Sequence, residues 1–168
     1  VGYQNGSMDV ISPEGITYVV DIPIANGYSG DKKINHISIS GNLAVISVGY
    51  GVSLFKLNEK EFGDSSFFIN AGIYEAAKEA TIKDNVVYAV TSTGLKSHEM
   101  NVTFPIYSSW NVVTAGDFNQ ISGSSVIAYG NTNTVRYGNG TTFANLPQSF
   151  SFSLKALIIS LSVALVKS

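Results

Sequence analysis

The two histidines, His36 and His98, are the residues of this 168-residue chain best suited to acid–base chemistry or metal binding. Neither has a companion at ligand spacing, such as a second histidine four residues further along. The chain contains no cysteine, which excludes a thiolate metal site and a disulfide framework. We therefore predict ordinary structural roles for both histidines, and neither a bound metal nor a cofactor.

Carboxylates could act in pairs, and Glu59, Glu61 and Asp64 fall close together in the sequence. They could form a glycosidase pair or a cation site, but such a pair needs a defined separation that sequence does not give. A solvated loop is the simpler explanation. The same holds for three further aspartates, which lack the alternating pattern of a calcium loop: Asp9, Asp21 and Asp31. We predict no catalytic residue among them.

Motifs for phosphate, dinucleotide or nucleic-acid binding are missing. The segment Ser-Gly-Asp-Lys-Lys at 29–33 lacks the spacing of a phosphate-binding loop, and no amphipathic helix follows it. No nucleophile elbow or dinucleotide fingerprint occurs. The net charge is −2 and the ten cationic residues are scattered, so no basic surface for nucleic acid is expected.

Several aromatic residues fall between the predicted strands, where they could line a face for glycan or peptide: Tyr28, Phe67, Phe68, Tyr74, Tyr107 and Trp110. Core packing competes with that view, and we predict it for most of them, Trp110 included. Two Asn-x-Thr sequons, at Asn101 and Asn139, would be used only in a eukaryotic secretory pathway.

The composition favours an all-β fold. Hydrophobic residues make up 45% of the chain and charged residues only 13%, with 16 glycines to serve tight turns. The apolar run from Ala156 to Val166 is much shorter than the roughly 20 residues of a membrane span. We predict buried strands there and no membrane span. The opening residues carry no export signal, which we expect to have been removed or to lie outside this sequence.

An internal repeat organises the chain. A shift of 43 positions lays 37–52 over 80–95 without a gap, so that Ile39 coincides with Ile82, Asn42 with Asn85 and Gly51 with Gly94. A weaker copy begins at 121–129, and a degraded one lies at 158–166. A period near 40 residues with about four strands per unit is typical of propeller blades.

The turns and second strands of the repeat support this interpretation. Two turn pairs, Gly41-Asn42 and Asp84-Asn85, can supply the positive φ angles of tight hairpins, and a glycine at the next turn can do the same: Gly6, Gly51 or Gly94. The second strands, at 43–46 and 86–90, are apolar on successive residues. Both faces of each sheet should therefore be covered.

We predict a partial β-propeller of about four blades' worth of four-stranded antiparallel units, with 1–168 as a single domain or a fragment of one. The predicted blade-like units are about 34–74, 75–116 and 117–150, with half-units at 1–33 and 151–168. The halves could join to close a small ring, or the chain could be an arc of a larger propeller. We favour the arc, since small rings lie at the low end of the known blade range.

Five blocks of the sequence resemble, in order and spacing, the N-terminal propeller family of PorZ, a cell-surface component of the type IX secretion system of Bacteroidetes. They are Val1-Gly-Tyr-Gln-Asn-Gly-Ser-Met-Asp-Val10, Gly30-Asp-Lys-Lys-Ile-Asn-His-Ile37, Gly41-Asn-Leu-Ala44, Gly49-Tyr-Gly-Val52 and Val90-Thr-Ser-Thr-Gly-Leu95.

The resemblance implies an exported, surface-exposed scaffold propeller without catalytic residues. It implies a sortase-like protein partner, PorU, in the complex that attaches secreted cargo to anionic lipopolysaccharide. In that family the lipopolysaccharide contact is attributed to a separate C-terminal β-sandwich, so we expect it outside this chain.

Two other functions stay open. A periplasmic sensor propeller of a two-component regulator would bind an oligosaccharide, but such sensors carry repeated Trp-Ile/Leu-Gly-Thr strands and Trp110 stands alone. A glycan-active enzyme on a propeller needs convergent carboxylates, for which the sequence offers no defined pair.

Overall fold

The computed structural model describes residues 1–25, 31–123, 127–130 and 134–145. The predicted all-β fold with four-stranded antiparallel units is confirmed. Tyr28, the first two residues of the 29–33 segment, the predicted half-unit 151–168 and the degraded repeat at 158–166 lie outside the described residues. Within the described part, no helix has the length and apolar character needed to cross a bilayer.

The strands and the short α-helix of the described residues follow in chain order. They are β1 (Met8–Ser12), β2 (Gly15–Val19), α1 (Asp21–Ile24), β3 (Ile34–Ser40), β4 (Leu43–Val48), β5 (Gly51–Lys56), β6 (Glu61–Phe67), β7 (Ile69–Asn70), β8 (Ile73–Tyr74), β9 (Glu79–Lys83), β10 (Val86–Val90), β11 (Gly94–Glu99), β12 (Asn111–Ala115), β13 (Gln120–Gly123), β14 (Ile127–Gly130), β15 (Val135–Gly138) and β16 (Phe143–Asn145). A 3₁₀ turn, Tyr107–Ser109, precedes β12.

Within each sheet of the described residues, a strand pairs with the next one along the chain, which gives three four-stranded meanders. Their orders are β3-β4-β5-β6, β9-β10-β11-β12 and β13-β14-β15-β16, and the hairpins β1-β2 and β7-β8 form two-stranded sheets. The first strands of the meanders lie side by side, with β9 between β3 and β13. This arrangement brings equivalent edges of successive sheets together, as in propeller blades.

The first hairpin of each of the two earlier meanders turns on two residues. Ser40 pairs with Leu43 around Gly41, whose φ is +60°, and Lys83 pairs with Val86. In the turn between β9 and β10, Asp84 and Asn85 have φ angles of +49° and +62°, the combination that a type I′ turn requires. The predicted positive φ angles are confirmed at Gly41, Asp84 and Asn85, whereas Asn42 does not have one.

The glycine that opens the third strand is needed for space in both meanders. A Cβ at Gly51 would lie 2.2 Å from the Ser66 carbonyl oxygen, and one at Gly94 would lie 2.5 Å from the Thr114 carbonyl oxygen. Gly51 also has a φ of +135°, as predicted, whereas Gly94 does not have a positive φ, so that part of the prediction is wrong. Gly51 and Gly94 occupy the same position in the repeat because the backbone of the fourth strand passes too close there to leave room for a Cβ.

The core lies between neighbouring sheets. In β4, Ala44 and Ile46 pack toward the β1-β2 hairpin, whereas Val45 packs toward β9 and β10. In β10, Val87 joins the cluster of Val45, while Tyr88 joins Ile127 and Tyr129 of the third meander in a separate cluster. Alternate residues of each second strand therefore enter different cores, which confirms that both sheet faces are covered.

Polar bonds also tie the first strands together. Ser38 Oγ lies 3.5 Å from Thr81 Oγ1, at equivalent positions of β3 and β9. The Ile121 amide donates to Glu79 Oε2 at 3.0 Å and so links β13 to β9. These bonds fix the register of one sheet against the next, which apolar packing alone fixes less strictly.

Gly51→Ala should lower the free energy of unfolding by about 2 kcal/mol or more, because the new Cβ collides with the β6 backbone. Gly15→Ala is the matched control, since Gly15 has a φ of +136° and nothing within 4 Å of an added Cβ. It should cost only about 1 kcal/mol of backbone strain. Urea unfolding of both variants measures the difference, and equal losses would rule out the collision.

Candidate functional site

The structure places the two predicted histidines in different sheets. His36 is half-buried on β3, and His98 is buried on β11. The His98 Nδ1 donates to the Glu99 carbonyl oxygen at 2.5 Å, and its Nε2 lies 2.7 Å from Ser109 Oγ. Among the described residues, no group of three or more histidines and carboxylates could hold a metal ion.

The predicted carboxylates form local bonds at the surface. Glu59 accepts from Asn42 Nδ2 at 3.1 Å, and Glu61 pairs with Lys56 at 2.9 Å. Asp9 accepts from the Tyr3 hydroxyl. The remaining three predicted carboxylates are also exposed: Asp21, Asp31 and Asp64. None of these contacts resembles a catalytic pair enclosed in a cleft.

Of the five predicted aromatic residues that the structure describes, two are buried and three are half-buried. Phe68 and Trp110 are buried, with ring centroids 4.8 Å apart, and the Trp110 Nε1 donates to the Phe104 carbonyl oxygen at 3.1 Å. Tyr107 is half-buried, with its ring centroid 5.1 Å from that of Phe68. Trp110 therefore serves the core, and it presents no ring face on which a sugar could stack.

The most strongly organised ionic site is a buried pair that the sequence did not reveal. Lys96 Nζ lies 2.9 Å from Glu75 Oε2, and the two side chains are only 4% and 6% exposed. Lys96 also donates to the Tyr107 hydroxyl at 2.6 Å, and its Nζ lies 5.8 Å from the centroid of the Phe68 ring. The second oxygen of Glu75 accepts from the Thr93 amide and hydroxyl, at 3.1 and 2.7 Å.

These bonds decide the ionisation of both groups. Burial alone raises the pKa of Glu75, but hydrogen bonds from Thr93 and Lys96 outweigh it and the pKa falls below its ordinary value. Burial lowers the pKa of Lys96, but its bonds to Tyr107 and Glu75 outweigh that effect and the pKa rises. Both groups stay charged at neutral pH, and a lysine held this firmly protonated is a poor base or nucleophile.

One signal in the repeat could have identified this pair. The 43-residue shift aligns Lys96 with Ser53, a fully buried serine that bonds to Tyr50 and Ser65. Because Ser53 is buried, the equivalent Lys96 should be buried too, and a buried lysine needs a buried negative charge beside it. The sequence does not say which carboxylate supplies it, because Glu75 lies on the segment between two sheets.

Both sequons have a structural explanation. The Asn101 Oδ1 accepts from the Thr103 amide and hydroxyl, at 2.9 and 2.7 Å. The Asn139 Oδ1 accepts from the Thr141 and Thr142 amides, at 2.9 and 3.0 Å. Asparagine at these positions therefore closes a turn by bonding to the backbone two residues further on.

One face of the β1-β2 hairpin is apolar and exposed. Ile11 and Ile16 form a cross-strand pair and are 65% and 69% exposed, and Tyr18 lies on the same face. The opposite face carries Met8 and Val19, which pack on the β3-β6 meander. Next to the exposed face an open hollow is lined by Tyr3, Gln4, Asn5, Ser7 and Tyr18.

Comparison with known proteins confirms the predicted family resemblance. The family model described as the N-terminal β-propeller domain of PorZ, of the type IX secretion system, matches residues 1–111. No curated protein sequence matches the chain significantly.

Among the solved structures that share the fold are the following two. One is PorZ of Porphyromonas gingivalis, described as an essential bacterial surface component of the type IX secretion system. It has a TM-score of 0.69 at 17% identity, over 86% of this chain and 20% of that chain. The other is the computationally designed protein Ika8, with a TM-score of 0.53 at 12% identity, over 87% of this chain and 44% of that chain. The chain thus spans about a fifth of the PorZ structure that it matches.

Lys96→Met should lower the free energy of unfolding by about 3 kcal/mol, because it leaves the buried Glu75 carboxylate without its cation. Glu75→Gln should also destabilise the fold, and the double variant should lose less than the sum of the two single losses. The exposed pair Lys56–Glu61 is the matched control, and Lys56→Met and Glu61→Gln should each change stability by less than about 0.5 kcal/mol. Urea unfolding provides the values. Additive losses at Lys96 and Glu75 would contradict the coupling.

The lowered pKa of Glu75 predicts acid sensitivity. The stability that this group contributes is present above its unfolded pKa, near the ordinary 4.5, and is lost as the pH falls through the lower folded pKa. The melting temperature should therefore fall less steeply below about pH 4.5 in Glu75→Gln than in the wild type. Glu99→Gln, an exposed position, is the control and should follow the wild type. Parallel curves for Glu75→Gln and the wild type would disprove the assignment.

Proposed function

Because the chain belongs to the family of N-terminal β-propeller domains of PorZ, a component of the type IX secretion system, we propose that it is a non-catalytic domain that binds another protein of that system at the cell surface. The family match over residues 1–111 is the observation that carries this proposal. The favoured partner is a sortase-like protein of the attachment complex. Contact with lipopolysaccharide belongs to a part of the protein outside this chain.

The bonds and burial of the ionisable side chains Glu75, Lys96 and His98 support a non-catalytic role. Glu75 and Lys96 bond to each other and to neighbouring polar groups, and their side chains are almost fully buried, so neither faces a substrate in solution. His98 is buried, and both of its ring nitrogens lie within hydrogen-bonding distance of oxygens of the protein. A general acid or base must instead face a substrate and titrate near the working pH.

The surface of the described sheets supports binding of a protein more than binding of a sugar. Exposed apolar side chains include Ile16 at 69% and Val102 at 93%. Trp110 is buried, so an oligosaccharide sensor would have to use the exposed Tyr3 and Tyr18 at the β1-β2 hairpin. The sensor is the weaker alternative because the chain lacks the repeated Trp-Ile/Leu-Gly-Thr strands of such proteins.

The direct test is recovery of partners from outer membranes with the full-length protein that carries this domain. Tagged full-length protein should retain a sortase-like component after mild crosslinking, and the same protein without residues 1–168 should lose it. Mass spectrometry identifies the recovered proteins. The shortened protein must also reach the cell surface normally, so that a loss of the partner is not a loss of delivery. Recovery of no secretion component with the full-length protein, or equal recovery without the domain, would overturn the proposal.

A turnover screen with polysaccharides and aryl glycosides serves as the control for the non-catalytic half of the proposal. It should stay blank with the full-length protein. Turnover that disappears in Glu59→Gln or Glu61→Gln would show that the domain is a glycan-active enzyme.

A further inference from the structure

The connection between the third and fourth strands of the second meander is unusually long. This β11-β12 loop covers residues 100–110, whereas the equivalent connections in the other two meanders cover 57–60 and 139–142. A hairpin needs only a few residues to reverse direction. The additional length is therefore not required for pairing β11 with β12.

The β11-β12 loop is held in one conformation by its own hydrogen bonds. The Phe104 amide donates to the Asn101 carbonyl oxygen at 2.9 Å, and the Ile106 amide donates to the Thr103 carbonyl oxygen at 2.9 Å. The Ser109 hydroxyl lies 3.0 Å from the Thr103 carbonyl oxygen and 2.6 Å from that of Ile106. A long loop with this many internal bonds is preorganised.

The base of the loop is fixed to two sheets. Phe104 is fully buried and packs in the core between the first and second meanders. Tyr107 accepts from Lys96 and packs on Phe68 at the end of the first meander. The buried ion pair therefore anchors the loop, and this explains why an ionic group is maintained at a position where the preceding unit has Ser53.

The exposed residues of the loop are uncharged, and three of the five are apolar. Val102 is 93% exposed and Ile106 is 52% exposed, with Pro105 also exposed between them. The sequence from Met100 to Gly116 contains no charged residue. Single exposed apolar residues are common, but an ordered insertion that presents several of them is typical of a binding surface.

We infer that the β11-β12 loop is the contact that this domain offers to a partner protein, with Val102 and Ile106 inserting into an uncharged, apolar pocket of that partner. The inference rests on the proposed function and names its surface. A lipid headgroup is a poor fit, because binding to anionic membranes uses lysine and arginine and this segment has neither. Because the loop is ordered before binding, little conformational entropy is lost on association.

The test is a titration of the secretion-system protein recovered above against the full-length protein and its Val102→Asp/Ile106→Asp variant. The variant should bind at least about tenfold more weakly, because two charges would enter an apolar pocket. Ile73→Asp is the matched control, since Ile73 is 73% exposed on the β7-β8 hairpin, and it should bind like the wild type. Val102→Leu/Ile106→Leu should retain binding. Unchanged melting temperatures exclude misfolding.

The outcomes separate the inference from the proposed function. If the wild type binds and the Asp variant binds equally well, the loop is not the contact and the proposed function stands. If the wild type binds no secretion protein, the proposed function fails and the inference fails with it. A third outcome is that the wild type binds phosphatidylglycerol vesicles, the Asp variant does not, and both bind the partner protein equally well. That result would assign the loop to a lipid surface and overturn the inference.

Discussion

The structure depends on the fact that each central sheet is apolar on both faces, so each needs a neighbour on both sides. Within β4, Ile46 and Val45 point into different cores, and both are fully buried. Burying such a side chain stabilises the fold by about 1.5–3 kcal/mol, and a single sheet could not bury both. Sheet-on-sheet packing is thus the source of stability, and the first strands come together as its consequence.

The same constraint explains the cost and the role of the buried ion pair. Charges placed between apolar sheets lose their hydration, and this penalty is offset only when every donor and acceptor finds a partner. Glu75 lies between the first and second meanders, and Lys96 lies within the second, so their bond ties the connecting segment to the second meander. Apolar packing tolerates small slips between sheets, whereas a bond that needs Thr93, Lys96 and Tyr107 in place does not.

The repeated part of the fold could be predicted from sequence, because its causes are local and periodic. Asp84 and Asn85 reveal a hairpin by their types, and the alternating cores follow from apolar second strands. The positive φ expected at Gly94 was wrong because two different causes select glycine, and sequence does not separate backbone conformation from lack of space. The Glu75–Lys96 bond was missed because Glu75 lies on the segment that connects two sheets, whereas Lys96 lies within the second of these sheets. Their meeting depends on how the sheets dock.

A repeated architecture also shows where to look for function. A side chain that recurs at the 43-residue period serves the packing that every unit needs, as Gly51 and Gly94 do. A feature that only one unit has must either compensate a local defect or act on something outside the fold. The buried pair and the β11-β12 loop belong to the same unit, and the pair anchors the loop through Tyr107. The loop's exposed apolar residues contribute nothing to the core, since Val102 is almost fully exposed. The proposed contact with a partner protein would explain why this loop is ordered by so many bonds.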